Sequence, residues 1–224
     1  MIGAASPNHG PRRGGAGIDI VVLHYTAMRD AGAAIARLCD PEFEVSAHWL
    51  VARDGGATPL VPEDRRAWHA GAGRWGDVCD VNSRSIGIEL DNDGASPFPE
   101  AQVAATVELL HGMLARHPGI APARVLAHSD VAPSRKVDPG ALFPWRRLAE
   151  QGLSIWPDRA GEGDLERSLT RIGYDPEAPL ADRLRAFRLR FRPEALGAGP
   201  ADAVDAGLAA RVAELWPCAD SGAA

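Results

Sequence analysis

Blocks of apolar residues in the first two thirds of the chain predict strands that are separated by helices. Residues 18–26 are β-branched and nearly all apolar, which is typical of a strand buried on both faces. Two shorter apolar runs, at 85–90 and 124–128, predict further buried strands. Residues 46–61 form two short runs joined through Asp54-Gly55, and this pattern predicts a β-hairpin.

Two helices are predicted between these strands. Asp30 is suited to cap a short helix that ends before Asp40-Pro41. Pro99 begins a long amphipathic helix that ends at His117. Its inward-facing positions are Val103, Val107, Leu110 and Leu114, with Leu109 and Met113 beside them. The order β-α-β-β-β-α-β predicts an α/β fold with a single mixed β-sheet flanked by helices.

The composition changes after Trp156-Pro157. Residues 158–163 are polar and glycine-rich, as in a linker, and three amphipathic helical patterns follow. About sixty residues make a marginal core, so we expect this small three-helix module to lean on the main domain. We therefore divide the chain into a flexible N-terminal segment (1–17), a main domain (18–157) and a linker with a small helical module (158–224). Since the module contains no catalytic pattern, we expect the main domain to work on small substrates without it.

Composition narrows the possible functions. Hydrophobic residues make up 46% of the chain and charged residues 24%, as in soluble globular proteins. The net charge of -6 gives no basic field for nucleic acid, and no apolar run is long enough to cross a membrane. The first seventeen residues lack the apolar core of a signal peptide, which favours a cytoplasmic location over the alternative of a periplasmic or cell-wall-associated one. The cysteines, Cys39, Cys79 and Cys218, show no metal-binding spacing, and we expect buried or unreactive thiols.

Candidate chemistry is concentrated between residues 124 and 144. His128 ends the last predicted strand, and Asp138 follows ten residues later in a loop. An imidazole and a carboxylate so placed are plausible ligands for a metal such as zinc. Between them lies Lys136, the one lysine among 24 Lys and Arg residues. Because a compact ammonium differs physically from a planar guanidinium, this choice suggests a specific role for lysine.

Several side chains compete as metal ligands. A catalytic zinc uses three protein ligands and keeps one position open. Spacing alone does not choose among the candidates, which are His24, His48, His69, His128, Glu89 and Asp138. We expect the other two histidines near the long helix, His111 and His117, to be solvated.

Four motifs in chain order resemble one known family. They are L-H-Y-T at 23–26, A-W-H-A-G at 67–71, N-S-R-S-I-G-I-E-L at 82–90 and H-S-D-V-A-P-S-R-K-V-D-P-G at 128–140. Together they are similar to the zinc-dependent N-acetylmuramoyl-L-alanine amidases, which share their fold with the peptidoglycan recognition proteins. The resemblance covers about residues 18–156.

The resemblance implies a role for each matching residue. His24, His128 and Asp138 match the ligands of one zinc ion, whereas peptidoglycan recognition proteins often carry cysteine at the third position. Glu89 matches the general acid and base, and Lys136 matches the residue that stabilises the oxyanion. This assignment agrees with the chemistry, since zinc activates water, a partly desolvated carboxylate can move its proton, and an ammonium can stabilise the tetrahedral oxyanion.

Further residues are expected to bind substrate. His69, Trp68 and Trp75 would line a groove for sugar and peptide, or would pack in an ordinary core or loop. We also assign Asn82 to substrate binding. The segments R-I-G-Y-D and R-A-F-R-L-R-F-R-P of the tail are similar to a three-helix peptidoglycan-binding module.

The implied function is hydrolysis of the amide between N-acetylmuramic acid and L-alanine, in peptidoglycan or in soluble anhydro-muropeptides. The alternative is a peptidoglycan-binding protein of the same fold without activity, but such proteins usually lack the metal ligands. A zinc peptidase of another type would ordinarily carry H-E-x-x-H on a helix, and the sequence has no such motif.

Overall fold

The computed structural model describes residues 5–15 and 17–216. The strands are β1 (His9–Pro11), β2 (Ile20–Tyr25), β3 (Trp49–Val51), β4 (Ala57–Pro59), β5 (Arg65–Ala67), β6 (Ser85–Leu90) and β7 (Val125–Ala127). The helices are α1 (Ala31–Cys39), α2 (Val81–Arg84), α3 (Glu100–Arg116), α4 (His128–Val131), α5 (Trp145–Glu150), α6 (Leu165–Ile172), α7 (Leu180–Phe191) and α8 (Ala203–Leu215). Three short 3₁₀ helices lie at Pro41–Phe43, Pro122–Arg124 and Pro193–Ala195.

The main sheet has five strands in the order β4-β3-β6-β2-β7. The β3–β4 hairpin is its antiparallel edge, and the other neighbouring strands are parallel. This confirms the predicted α/β fold with one mixed sheet flanked by helices. The interior strand β2 is inaccessible to solvent from Ile20 to Leu23, as predicted for a strand buried on both faces.

The strand register brings three candidate side chains to one edge of the sheet. His24 of β2 lies opposite Glu89 of β6. Leu23 lies opposite Ala127 of β7, so His128 follows at the adjacent position. Because the carboxyl ends of parallel strands meet at the same edge, the topology itself assembles these groups.

The long helix α3 has nearly the predicted bounds but a different buried stripe. Met113 is fully buried, while Val107 and Leu114, which were predicted to face inward, are only half-buried. Gln102 is buried as well, because its amide donates a hydrogen bond of 2.8 Å to the carbonyl of Val51. A polar residue with a backbone partner has displaced part of the apolar pattern.

The three predicted C-terminal helices are present as α6, α7 and α8, and they share a core with the main domain. One cluster of buried side chains contains Ile20 and Val22 of β2 together with Leu169 of α6 and Phe187 of α7. The prediction that the module leans on the main domain is therefore confirmed. Apolar packing is continuous across residue 157, and the domain boundary that we placed there stays a prediction.

Residues 5–15 of the N-terminal segment contact the main domain, and the flexibility that we expected of residues 1–17 stays a prediction. β1 pairs with β5 in a two-stranded antiparallel sheet. Ser6 and Asn8 are buried, and the Arg12 guanidinium donates to the carbonyls of Glu63 and Ser83. Such backbone and side-chain hydrogen bonds produce no amphipathic pattern in the sequence, so the sequence could not predict them. Residues 1–4 and 16 lie outside the described residues.

Two further expectations about single side chains are changed. His117 is only partly solvated, and its Nε2 lies 2.7 Å from Oε2 of the partly buried Glu63, whereas His111 is exposed as expected. Cys79 is exposed rather than buried, Cys39 is half-buried, and Cys218 lies outside the described residues. Within the ranges that the structure describes, no helix is both long and apolar enough to cross a membrane.

Candidate metal centre and active site

Three of the six candidate ligands converge on one point. His24 lies near the end of β2, His128 begins α4 directly after β7, and Asp138 comes from the following loop. The Nδ1 atoms of the two histidines are 2.9 Å apart, and Oδ2 of Asp138 lies 3.1 Å from one and 3.0 Å from the other. All three side chains are buried.

Hydrogen bonds on the far sides of the rings determine which nitrogen atoms are free to bind a metal. His128 donates its Nε2 proton to the carbonyl of Ala70 at 3.2 Å, which leaves its Nδ1 unprotonated. His24 Nε2 lies 3.0 Å from Nδ1 of His69. Two imidazole lone pairs and a carboxylate oxygen at this separation repel each other unless a cation lies among them. The donor set therefore fits a divalent metal, and its two nitrogens and one oxygen suit zinc.

A directional series of hydrogen bonds orients His24. The Nε2 proton of His69 points to Oγ of Ser85 at 3.1 Å, and that hydroxyl donates to the carbonyl of Val81 at 2.6 Å. His69 can therefore accept only at Nδ1, so His24 must donate from Nε2 and keep its Nδ1 free. Metal-ligating histidines ordinarily have such a partner, which fixes the ring and its tautomer.

Close packing places the His69 ring beneath the sheet. A Cβ atom at Gly87 would lie 2.4 Å from Cγ of His69, so only glycine leaves room for the ring. Asn82 contributes from the other side, because its Oδ1 accepts the backbone N–H groups of His69 and Ala70. The glycine within S-I-G-I-E-L is the sequence signal that could have revealed this approach, since glycine in a strand often marks a close contact.

Burial controls the protonation of two groups at the site. Burial, with a smaller contribution from the like charge of His128, lowers the pKa of His24 to about 4, which keeps this imidazole neutral. Burial, reinforced by the negative charge of Asp138 and opposed by Lys136, raises the pKa of Glu89 to about 8. One oxygen of Glu89, Oε2, is inaccessible and has no hydrogen-bond partner among the described residues. A carboxyl group in this condition is a candidate for proton transfer.

The site opens into a cleft of about 460 Å³. Glu89 and Lys136 line it beside the three converging side chains. The lining also includes Leu38 of α1, Trp68 and the cationic residue Arg37. The cleft therefore combines apolar walls with both charge signs, as suits a ligand that carries sugar and peptide groups.

Three residues that we had considered for the site lie elsewhere. Trp75 was predicted to bind substrate but is only 2% exposed, and its ring packs 5.1 Å from that of Tyr174. Asn82 is buried behind His69 and is not part of the cleft lining. His48 is 0% exposed, with Nδ1 accepting from the Gly87 N–H at 2.9 Å, so it is a core histidine. Each has partners that lie far away in the sequence, which explains why the sequence did not exclude them.

Comparison with known proteins shows which family the chain belongs to. The profile of the family described as N-acetylmuramoyl-L-alanine amidase matches residues 14–141. N-acetylmuramoyl-L-alanine amidase AmiD from Escherichia coli K12 is 38% identical over 89% of this chain and 83% of its own length. The 1,6-anhydro-N-acetylmuramyl-L-alanine amidase AmpD from Enterobacter cloacae is 42% identical, over 46% of this chain and 55% of its own length.

Solved structures extend the similarity to nearly the whole chain. The complex of AmiD from E. coli with anhydro-N-acetylmuramic acid-L-Ala-D-gamma-Glu-L-Lys has a TM-score of 0.79 and 35% identity, over 96% of this chain and 93% of that one. AmpDh3 from Pseudomonas aeruginosa has a TM-score of 0.81 and 30% identity, over 95% of this chain and 96% of that one. A family match over more than half of the chain, with relatives that cover nearly all of it, shows that this protein belongs to the N-acetylmuramoyl-L-alanine amidases.

Proposed function

We propose that this amidase is zinc-dependent and that it hydrolyses the amide between N-acetylmuramic acid and L-alanine in soluble anhydro-muropeptides. The observation that carries the proposal is the convergence of His24, His128 and Asp138 at the floor of a cleft that also contains Glu89 and Lys136. Two relatives support the substrate, since AmiD and AmpDh3 have been solved with anhydromuramic peptides.

His24, His128 and Asp138 would hold the metal. When bound, zinc supplies a Lewis acid and lowers the pKa of a coordinated water from its bulk value to about 7. Burial keeps the imidazole of His24 neutral, and the hydrogen bond from His128 Nε2 to the carbonyl of Ala70 leaves the Nδ1 of His128 free to bind the metal.

Glu89 would transfer the proton of the attacking water, and Lys136 would stabilise the negative charge that develops on the substrate. Glu89 would accept a proton from the attacking water and return it to the amine of the leaving L-alanine; burial raises its pKa, which favours the protonated form that acts as the acid in the second step. Lys136 places an ammonium at the cleft, where it stabilises the negative charge that develops on the substrate carbonyl oxygen. His69 would hold His24 in the required tautomer, so its role would not be limited to binding substrate.

The test uses the full chain with two substrates. We expect about one equivalent of zinc after dialysis, and release of the stem peptide from purified anhydro-muropeptide. A strong chelator should abolish release, and added zinc should restore it. Isolated sacculi provide the second substrate and measure whether intact wall is also cleaved. A zinc-loaded chain that releases peptide from neither substrate would refute the proposal. Cleavage of soluble substrate would agree with the expected cytoplasmic location, which stays a prediction.

A further inference from the structure

A buried carboxylate that takes no part in the proposed reaction lies two residues after His128. Asp130 is 0% exposed, and its Oδ2 accepts the backbone N–H of Ala127 at 2.9 Å. Ala127 is the last residue of β7 and directly precedes His128. A carboxylate is unfavourable in a protein interior unless it is paired and hydrogen-bonded, so its remaining partners decide whether this turn is stable.

Those partners come from the C-terminal helices. The hydroxyl of Tyr174, which follows α6, donates to Oδ1 of Asp130 at 2.7 Å. Arg190 of α7 donates from Nη1 to Oδ2 of Asp130 at 2.7 Å, and from Nη2 to the carbonyl of Val125 at 3.0 Å. Tyr174 is 1% exposed and Arg190 is 2% exposed. Two side chains of the module therefore reach through the shared core to the end of β7.

The same helices hold the loop beyond the turn. Arg185 of α7 donates to the carbonyl of Pro133 at 2.7 Å, between His128 and Lys136. The backbone N–H of Ser129 donates to the carbonyl of Asp138 at 3.0 Å, which links the turn to the loop of the third converging side chain. The position of the turn therefore affects His128 directly, and it affects Asp138 through the backbone hydrogen bond from Ser129.

We propose that Tyr174 and Arg190 are positioning residues for the metal site, acting through Asp130 on the turn that carries His128. The inference rests on the proposed function, in which His128 and Asp138 are ligands. The C-terminal module is then part of the apparatus that preorganises the site, whatever it does at the cell wall. If these contacts position the metal site as well as stabilise the fold, their loss must weaken the affinity for zinc.

A matched control lies on the same helix. Arg188 of α7 forms a buried ion pair of 2.5 Å with Asp205 of α8, within the module. Loss of this pair should destabilise the module about as much as loss of the Arg190 pair, because each change removes a buried ion pair and leaves the carboxylate one other side-chain partner, Arg192 for Asp205 and Tyr174 for Asp130. Within the described part of the chain, the hydrogen bonds of Arg188 go to Asp205 and to the carbonyls of Gly199 and Pro200, not to the turn at His128.

The experiment uses the full chain with Tyr174→Phe, Arg190→Met and the control Arg188→Met. Zinc affinity is measured by competition with a chromophoric chelator, and stability by thermal unfolding of the metal-free proteins. Outer partners of metal ligands typically change affinity by about 10–100-fold, so we expect at least a tenfold loss in the first two variants. Arg188→Met should bind zinc like wild type despite a lower unfolding temperature.

The outcomes separate this inference from the proposed function. Wild-type zinc affinity in both Tyr174→Phe and Arg190→Met would overturn the positioning role, as would an equal loss in the Arg188 control. If Arg190→Met fails to fold, Tyr174→Phe decides alone, because it removes a single hydroxyl and keeps the ring. A wild-type chain that binds no zinc would overturn the proposed function and this inference with it.

Discussion

Removal of the C-terminal module should unfold the main domain, contrary to the expectation from the sequence. A chain that ends at Pro157 loses α6, α7 and α8. These helices form one hydrophobic cluster with buried side chains of the main domain, which are Ile20, Val22, Leu126 and Val131. It also loses both side-chain partners of the buried carboxylate Asp130.

The magnitude follows from burial. Each of the four apolar side chains gains about 1.5–3 kcal/mol when fully buried, so partial exposure of all four costs on the order of 5 kcal/mol. Removing the partner of a buried ion pair adds about 3–5 kcal/mol. Domains have a total free energy of unfolding of about 5–15 kcal/mol, so the two losses together consume most or all of it.

The assay compares residues 1–157 with the full chain by circular dichroism, thermal unfolding and zinc content. We expect the fragment to show no cooperative unfolding transition and to bind little zinc. The matched control is the full chain cut within residues 158–163 at an inserted protease site. Its two parts should stay associated and active, because the contacts of α6 to α8 are retained. Cooperative unfolding and wild-type zinc content in the isolated fragment would refute this reasoning.

Four further predictions concern single side chains. Asp138→Ala should lose zinc and activity together, and retention of a full zinc equivalent by metal analysis would remove Asp138 from the ligand set. Glu89→Gln should keep zinc but slow the release of stem peptide by about 10²–10⁴-fold, and near-normal turnover would assign the proton transfer elsewhere. Lys136→Ala should lose about 10²–10³-fold in rate at unchanged zinc content. Lys136→Arg should recover only part of that rate, because the planar guanidinium is bulkier than the ammonium. Wild-type rates in the Arg variant would contradict this. Burial opposes ionisation of Glu63, but hydrogen bonds from Arg116, His117 and Trp49 lower its pKa to about 2, so Glu63→Gln should reduce the free energy of unfolding by about 1–3 kcal/mol at pH 7. The difference in free energy of unfolding between wild type and this variant should shrink as the pH falls from about 4.5 towards 2, since the unfolded chain then binds a proton that the folded carboxylate still excludes. Urea titrations over this range measure the difference, and a constant value would contradict the reasoning.

The sequence determined the elements and the chemical inventory. The β-branched run at 18–26 predicted the buried strand β2, and the predicted cap of α1 is present, because the Asp30 side chain accepts from the N–H of Ala33. The motif at 128–140 contains two of the converging side chains and the lone lysine. These features depend on neighbours within a few residues, so local pattern is enough to find them.

Only the tertiary structure decided which distant residues meet. The selection of three converging side chains from six candidates followed from strand register and from the hydrogen bonds of His69 and Ala70, which join segments far apart in the sequence. The same holds for Trp75, whose aromatic side chain suits a groove or a core equally well until its neighbours are known. Asp130 looks like an ordinary loop residue in the sequence, and its importance arises because Tyr174 after α6 and Arg190 of α7, which lie 44 and 60 residues later, place a hydroxyl and a guanidinium against it. Periodicity reports which face of an element is buried, but the identity of the partner is fixed by packing between elements.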